Sequence, residues 1–203
     1  QMCIRDRAVL SERFGFEFDI LTRAGCPPVI GSQNFVRGTR FKGCKRFSRR
    51  AFESIDSYDY VVLAARWNFY YKRKGDRFES ALVETIERIS AQSKKVIVFG
   101  QIPTLPKKID RFCPMKKSRE ECQQETAFAR PRRKKMNIFL ESIAAEKPTV
   151  SFVDFRNLIC TDDMCSAFLE SFGPAIYHDQ KHISSQGSWY LGEKYLNTLS
   201  NTC

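Results

Sequence analysis

The chain of 203 residues is 42% hydrophobic and holds 17 Phe, enough apolar mass to bury one core and too much for a disordered polymer. Its formal net charge of +11 points to anionic surroundings. The denser basic runs, Lys42 to Arg50 and Arg130 to Lys135, come without a zinc finger, an aromatic RNA-binding signature or a basic heptad helix, so they read as a solvated surface and no nucleic acid partner is expected.

In chain order, Gln1 to Arg7 has the look of translated sequencing-adapter residues and is expected to be non-native, which leaves 8–203 as the domain. Ala8 to Phe14 reads as the tail of a helix closed by Gly15, and Phe16 to Thr22 alternates like a strand. Gly25-Cys26-Pro27-Pro28 breaks that strand into a loop, and Phe47 to Ile55 predicts a short helix. Tyr60 to Ala65 is a continuous apolar run, the pattern of a strand buried on both faces. From Asp76 a helix places Phe78, Leu82, Ile86 and Ile89 along one side, and Lys95 to Phe99 is another apolar strand. Leu105 to Arg133 has no clear period and reads as an excursion loop over the site. Met136, Phe139, Leu140 and Ile143 mark a further helix, and Val150 to Phe155 the last strand. Strand and helix alternate, the rhythm of a three-layer α/β fold around a parallel sheet. No apolar run approaches the length of a membrane span.

In such a sheet the active groups gather on loops past the carboxyl ends of the strands. Here those loops are 23–26, 66–71, 100–103 and the segment after Phe155. The last leads to Tyr177-His178-Asp179-Gln180-Lys181-His182-Ile183-Ser184-Ser185, which contains both histidines of the chain. An aspartate three residues before a histidine can accept a hydrogen bond from one ring nitrogen, fixing the tautomer and raising the basicity of the other, as a base serving a serine requires. The same spacing also fits a loop histidine that only satisfies local hydrogen bonds. Ser184 or Ser185 can cap a helix running from Gln186 to about Ser200.

Of the eight cysteines, Cys26 with Cys44, Cys113 with Cys122, and Cys160 with Cys165 would close local loops, while Cys3 and Cys203 stand at the ends; other pairings stay open from sequence. No pair has Cys-x-x-Cys spacing and two histidines offer little to complete a zinc site, so no metal is expected. Locally closed loops favour disulfides and an oxidising compartment such as the periplasm. No signal peptide opens the sequence, so export is expected to be encoded upstream of residue 1.

Leu21 to Pro28, Tyr60 to Trp67, Leu158 to Cys160 with Cys165, and Ile176 to Ser184 together resemble the periplasmic SGNH domain that follows the multi-span membrane domain of O-antigen and exopolysaccharide O-acyltransferases, the acyltransferase-3 family. The likeness runs from Ala8 onward in the same order. It implies a flavodoxin-like SGNH hydrolase fold with a Ser-His-Asp triad, whose aspartate and histidine carry onto Asp179 and His182. The family's serine lies in a Gly-Asp-Ser-His block at the end of the first strand, and this sequence contains no such block. The first strand is therefore expected to be missing, with the nucleophile upstream; Ser11, Ser32 and Ser48 have no matching context. Where SGNH enzymes commonly carry a Gly-x-Asn-Asp oxyanion block, the chain reads Ala65-Arg66-Trp67-Asn68, and the acyltransferase branch it resembles often has Arg-Trp there, making Arg66, Trp67 and Asn68 candidate oxyanion or substrate residues. Trp67 reads equally as a packed rim aromatic.

The resemblance further implies transfer of an acyl group, usually acetyl, to a cell-envelope polysaccharide or lipopolysaccharide, by a periplasmic domain tethered at the bacterial inner membrane. A membrane acyltransferase domain upstream in the same chain, a glycan acceptor and acetyl-CoA as donor to the membrane part go with it; no cofactor is expected in this domain. A free SGNH carbohydrate esterase and a non-catalytic glycan-binding module are the alternatives. Alone, without its serine block, the chain is expected to be inactive and unstable.

Overall fold

The computed structural model describes residues 17, 19–92, 95–110, 112–130, 134–168 and 175–200, and the side chains of all these but 114, 119 and 196–200. The adapter-like stretch 1–7, the helix tail Ala8 to Phe14, Cys3 and Cys203 lie outside the described residues. Among the described residues, helices α1 (Arg40–Glu53), α2 (Trp67–Lys74), α3 (Asp76–Ala91), α4 (Cys113–Lys116), α5 (Arg119–Thr126), α6 (Lys135–Glu146), α7 (Arg156–Ile159) and α8 (Ser185–Ser200) are accompanied by six strands. These are β1 (Tyr60–Ala64), β2 (Lys95–Phe99), β3 (Phe128–Ala129), β4 (Val150–Val153), β5 (Cys160–Thr161) and β6 (Met164–Cys165). They fall into two units. A sheet unit takes Leu21–Gln101 and Arg133–Asp154; a stapled unit takes Ile102–Arg132 and Phe155–Cys203, with the N-terminal residues to Ile20.

The sheet unit is built on three parallel strands in the order β1-β2-β4, the parallel α/β core the sequence implies. The register sets Val61 beside Val96 and Val150, and Leu63 beside Val98 and Phe152. Laterally paired residues share a face, so these six make one apolar surface. Phe78, Leu82, Ile86 and Ile89 of α3 join the same core as Met136, Leu140 and Ile143 of α6. All four α3 residues are 0% exposed, and burying each side chain contributes about 1.5–3 kcal/mol.

The other face of the sheet differs from expectation. Tyr60 is 50% and Val62 41% exposed, and Lys95 and Ser151 are open as well, so β1 is not buried on both faces. An apolar run reports the hydrophobicity of a strand, whereas burial depends on what covers each side, and the core helices of this unit cover one. The strand expected over Phe16 to Thr22 is not formed at its described residues, Glu17 and 19–22; a strand persists only where a neighbour pairs its backbone groups. Helix α1 starts at Arg40, seven residues earlier than the apolar pattern suggests. A disulfide from Cys44 to Cys26 fixes that first half, and Ser48 Oγ donates to Val29 O at 3.2 Å.

The stapled unit replaces the expected excursion loop, Leu105 to Arg133, with α4, α5 and β3. Cys113 and Cys122 are joined there. A capping box starts α5: Ser118 Oγ accepts from the Glu121 N–H, and the Glu121 carboxylate accepts from the Ser118 N–H. The signal Ser118-x-x-Glu121 lay in the sequence, but a helix this short has too few apolar residues to show a period. Strands β3, β6 and β5 form a small antiparallel sheet closed by the Cys160–Cys165 disulfide. The three described disulfides are thus the three local pairs named from the sequence.

Candidate active site

Tyr177 and Ile183 form an isolated antiparallel bridge, and the residues between them turn tightly enough for the His178 N–H to donate to His182 O at 2.7 Å. Asp179 Oδ1 accepts from the backbone N–H groups of Lys181 (2.7 Å) and His182 (2.9 Å), the local pairing that suits aspartate to turns. Its two oxygens lie 2.9 and 2.8 Å from His182 Nδ1. An ionised carboxylate only accepts, so Nδ1 carries a proton and it is Nε2 that points away from Asp179 as the nitrogen able to exchange one. The bond to His182, followed by the Lys181 N–H, holds the Asp179 carboxyl down to about 2. Both side chains face solvent.

The loop is pinned from beneath. Tyr177 is 0% exposed and its hydroxyl donates to Pro103 O at 3.1 Å; burial pushes its phenol pKa up. The Leu105 N–H donates to Gln180 O at 3.0 Å. Behind the turn, Ser184 is the cap of α8: its Oγ accepts from the Gly187 N–H at 2.9 Å and donates to Ala175 O at 2.6 Å. A Cβ on Gly187 would come 2.2 Å from Ile176 O, so the first turn of α8 can press on 175–177 only because residue 187 has no side chain.

Asp179 and His182 are thus brought into contact, while Arg66, Trp67 and Asn68 belong to the sheet unit, just past the carboxyl end of β1. Of the segment expected as a loop, 66–71, Arg66 is the N-cap of α2 and 67–71 its first part. Trp67 is 0% exposed and its indole N–H donates to Phe99 O at 2.7 Å. The backbone N–H and the carboxamide of Asn68 both donate to Gln101 Oε1, at 3.1 and 3.2 Å. Gln101 in turn donates its N–H to Asn137 Oδ1 (2.9 Å) and accepts from Asn137 Nδ2 at its carbonyl (3.2 Å). Arg66 is exposed, with its guanidinium 5.4 Å from the centre of the Phe69 ring. Gln101 and Asn137 escaped the sequence reading. The available signal was Asn137, a polar residue beside Met136 in an apolar helix stripe, where a buried carboxamide must find partners.

Among the described residues no group of three His, Cys, Asp or Glu side chains is placed to hold a metal ion, and no helix is long and apolar enough to cross a membrane. The chain is similar in structure to the periplasmic domain of the Salmonella ser. Paratyphi A lipopolysaccharide acetyltransferase, with a TM-score of 0.66 over 96% of this chain and 77% of that one. The two are 16% identical, so this likeness bears on the fold. No curated protein matches the chain. The family model described as "SGNH domain (fused to AT3 domains)" matches residues 8–197, nearly the whole length, and on that match the chain belongs to the SGNH domains fused to AT3 domains.

Proposed function

We propose that this domain passes an acyl group, acetyl in the simplest case, to a hydroxyl of a cell-envelope polysaccharide or lipopolysaccharide on the periplasmic side of the bacterial inner membrane. The observation that carries the reading is the Asp179–His182 contact at 2.8 Å on a turn pinned by Tyr177 and Ser184. Family membership supports it, because an SGNH domain fused to an AT3 domain has a partner in the same chain. So does the likeness to a lipopolysaccharide acetyltransferase domain.

In this reading the attacking serine comes from a Gly-Asp-Ser-His block upstream. Its Oγ adds to the acyl carbonyl as His182 Nε2 takes the hydroxyl proton; the imidazolium returns that proton to the leaving group, and the acyl-enzyme remains. An acceptor hydroxyl then gives its proton to Nε2, attacks the acyl carbon and releases the serine, which recovers the proton. Asp179 holds Nδ1–H in place and stabilises the imidazolium at both stages. Acetyl-CoA supplies the acyl group to the membrane domain, and this domain uses no cofactor.

A fluorophosphonate probe tests the arrangement in a longer chain that carries the serine block. The wild-type protein is expected to be labelled on that serine, and His182→Ala to be labelled slower by roughly three orders of magnitude or more. A wild-type protein that resists the probe contradicts the reading.

A further inference from the structure

Tyr70 is 7% exposed, stacked on Phe78 with ring centres 5.6 Å apart and edge-on to Phe69 at 5.2 Å. No hydrogen bond among the described residues uses its hydroxyl, and water still reaches that atom. A nearly buried tyrosine ordinarily satisfies its hydroxyl within the protein. Around this one stand cations. Tyr70 and Arg73 stand three residues apart on α2, Arg66 is the N-cap of that helix, and Arg40 is the first residue of α1. Burial pushes the Tyr70 phenol pKa up, and the charges of Arg40, Arg66 and Arg73 pull against it.

The three arginines are exposed, and each has a neighbour. Arg66 and Arg73 lie 5.4 and 4.1 Å from the centre of the Phe69 ring. Arg40 covers Gly25 so closely that a Cβ there would sit 2.9 Å from its Nη1. Among the described residues none of the three pairs with a carboxylate. Other cations do: Lys116 with Asp110, Lys117 with Glu125, Lys147 with Glu87. Cation–π contact accounts for where Arg66 and Arg73 rest, but not for a third guanidinium or for the unused hydroxyl. Like charges collected without a counter-charge repel one another, and an anionic ligand would remove that cost.

We propose that Arg40, Arg66, Arg73 and the Tyr70 hydroxyl form a subsite for a phosphate group carried on a saccharide. Guanidinium forks match phosphate oxygens in pairs, and a dianion answers three cations better than a single carboxylate does. The phenol donates to a remaining oxygen. That the phosphorylated saccharide is the acyl acceptor rests on the transfer reading above; that it binds does not.

Calorimetric titration of the longer chain with glucose-1-phosphate, with glucose and with phosphatidylglycerol vesicles tests the site. Glucose-1-phosphate is expected to bind and glucose not to. The double variant Arg40→Gln/Arg73→Gln should weaken binding by about tenfold or more. Tyr70→Phe keeps the ring packing and should weaken binding severalfold at an unchanged melting temperature, which decides the matter if the arginine variants fold poorly. His182→Ala should bind as the wild type does, so failure of the transfer reading leaves this result standing. Equal affinity for the two sugars, no response to glucose-1-phosphate, unchanged binding in Tyr70→Phe, or binding of vesicles without the sugar phosphate would each overturn the proposal.

Discussion

The two units of the molecule hold themselves together by different means. The sheet unit rests mainly on buried apolar area: three parallel strands and the α3 and α6 stripes share one core, and its one disulfide among the described residues, Cys26–Cys44, ties α1 to the loop before it. Among its described residues the stapled unit has strands of two residues, two disulfides, and hydrogen bonds from the Leu105 and Ser184 N–H groups and the Tyr177 hydroxyl. The difference teaches where precision is made. A hydrophobic core tolerates small adjustments of its parts, whereas the Asp179–His182 turn depends on a few directional contacts, and directional contacts are what a proton-transferring group needs.

The largest effect that separates the two regions should come from Phe78→Ala. Phe78 is 0% exposed and packs with Phe35, Trp67 and Tyr70, so the cavity should cost about 3–5 kcal/mol by denaturant unfolding of the longer chain. A loss below about 1 kcal/mol would deny that this core carries the sheet unit. Gly187→Ala comes next. Its methyl group would meet backbone rather than a flexible side chain, so a loss of about 1–3 kcal/mol is expected, with displacement of the turn seen as altered His182 ring resonances. Unaltered resonances would mean that the turn is independent of α8.

The reading from sequence succeeded where one pattern had one cause. Phe78, Leu82, Ile86 and Ile89 repeat at helical spacing and all four are sealed; Lys95 to Phe99 is a strand with the expected bounds; Asp179 does meet His182. It faltered where structure depends on distant partners. Whether Tyr60 and Val62 are covered is decided by elements far away in the chain, not by their own apolar character. Helix α2 starts at Trp67 because the indole anchors on Phe99, 32 residues on, and no local period announces that. Tyr70 reads as one more core aromatic until the arginines around it are seen.

The smallest effect concerns pH. Asp179 is held down to about 2 by His182 and the Lys181 N–H. A carboxyl depressed in the folded state adds stability above its ordinary value of about 3.9, lost as the pH falls through about 2. Exposure of the pair, 45% and 62% for the two side chains, keeps that contribution small. A carbon-13 titration should place the Asp179 midpoint near 2. A midpoint near 3.9 would mean that the turn does not hold the carboxylate against the ring.

The central claim is that His182, oriented by Asp179, moves the proton in acyl transfer. Its most direct test is the rate of acetyl transfer to glycan by the longer chain, wild type against His182→Ala at matched folding. The account predicts a loss of at least about three orders of magnitude; a variant that transfers acetyl at near the wild-type rate contradicts it.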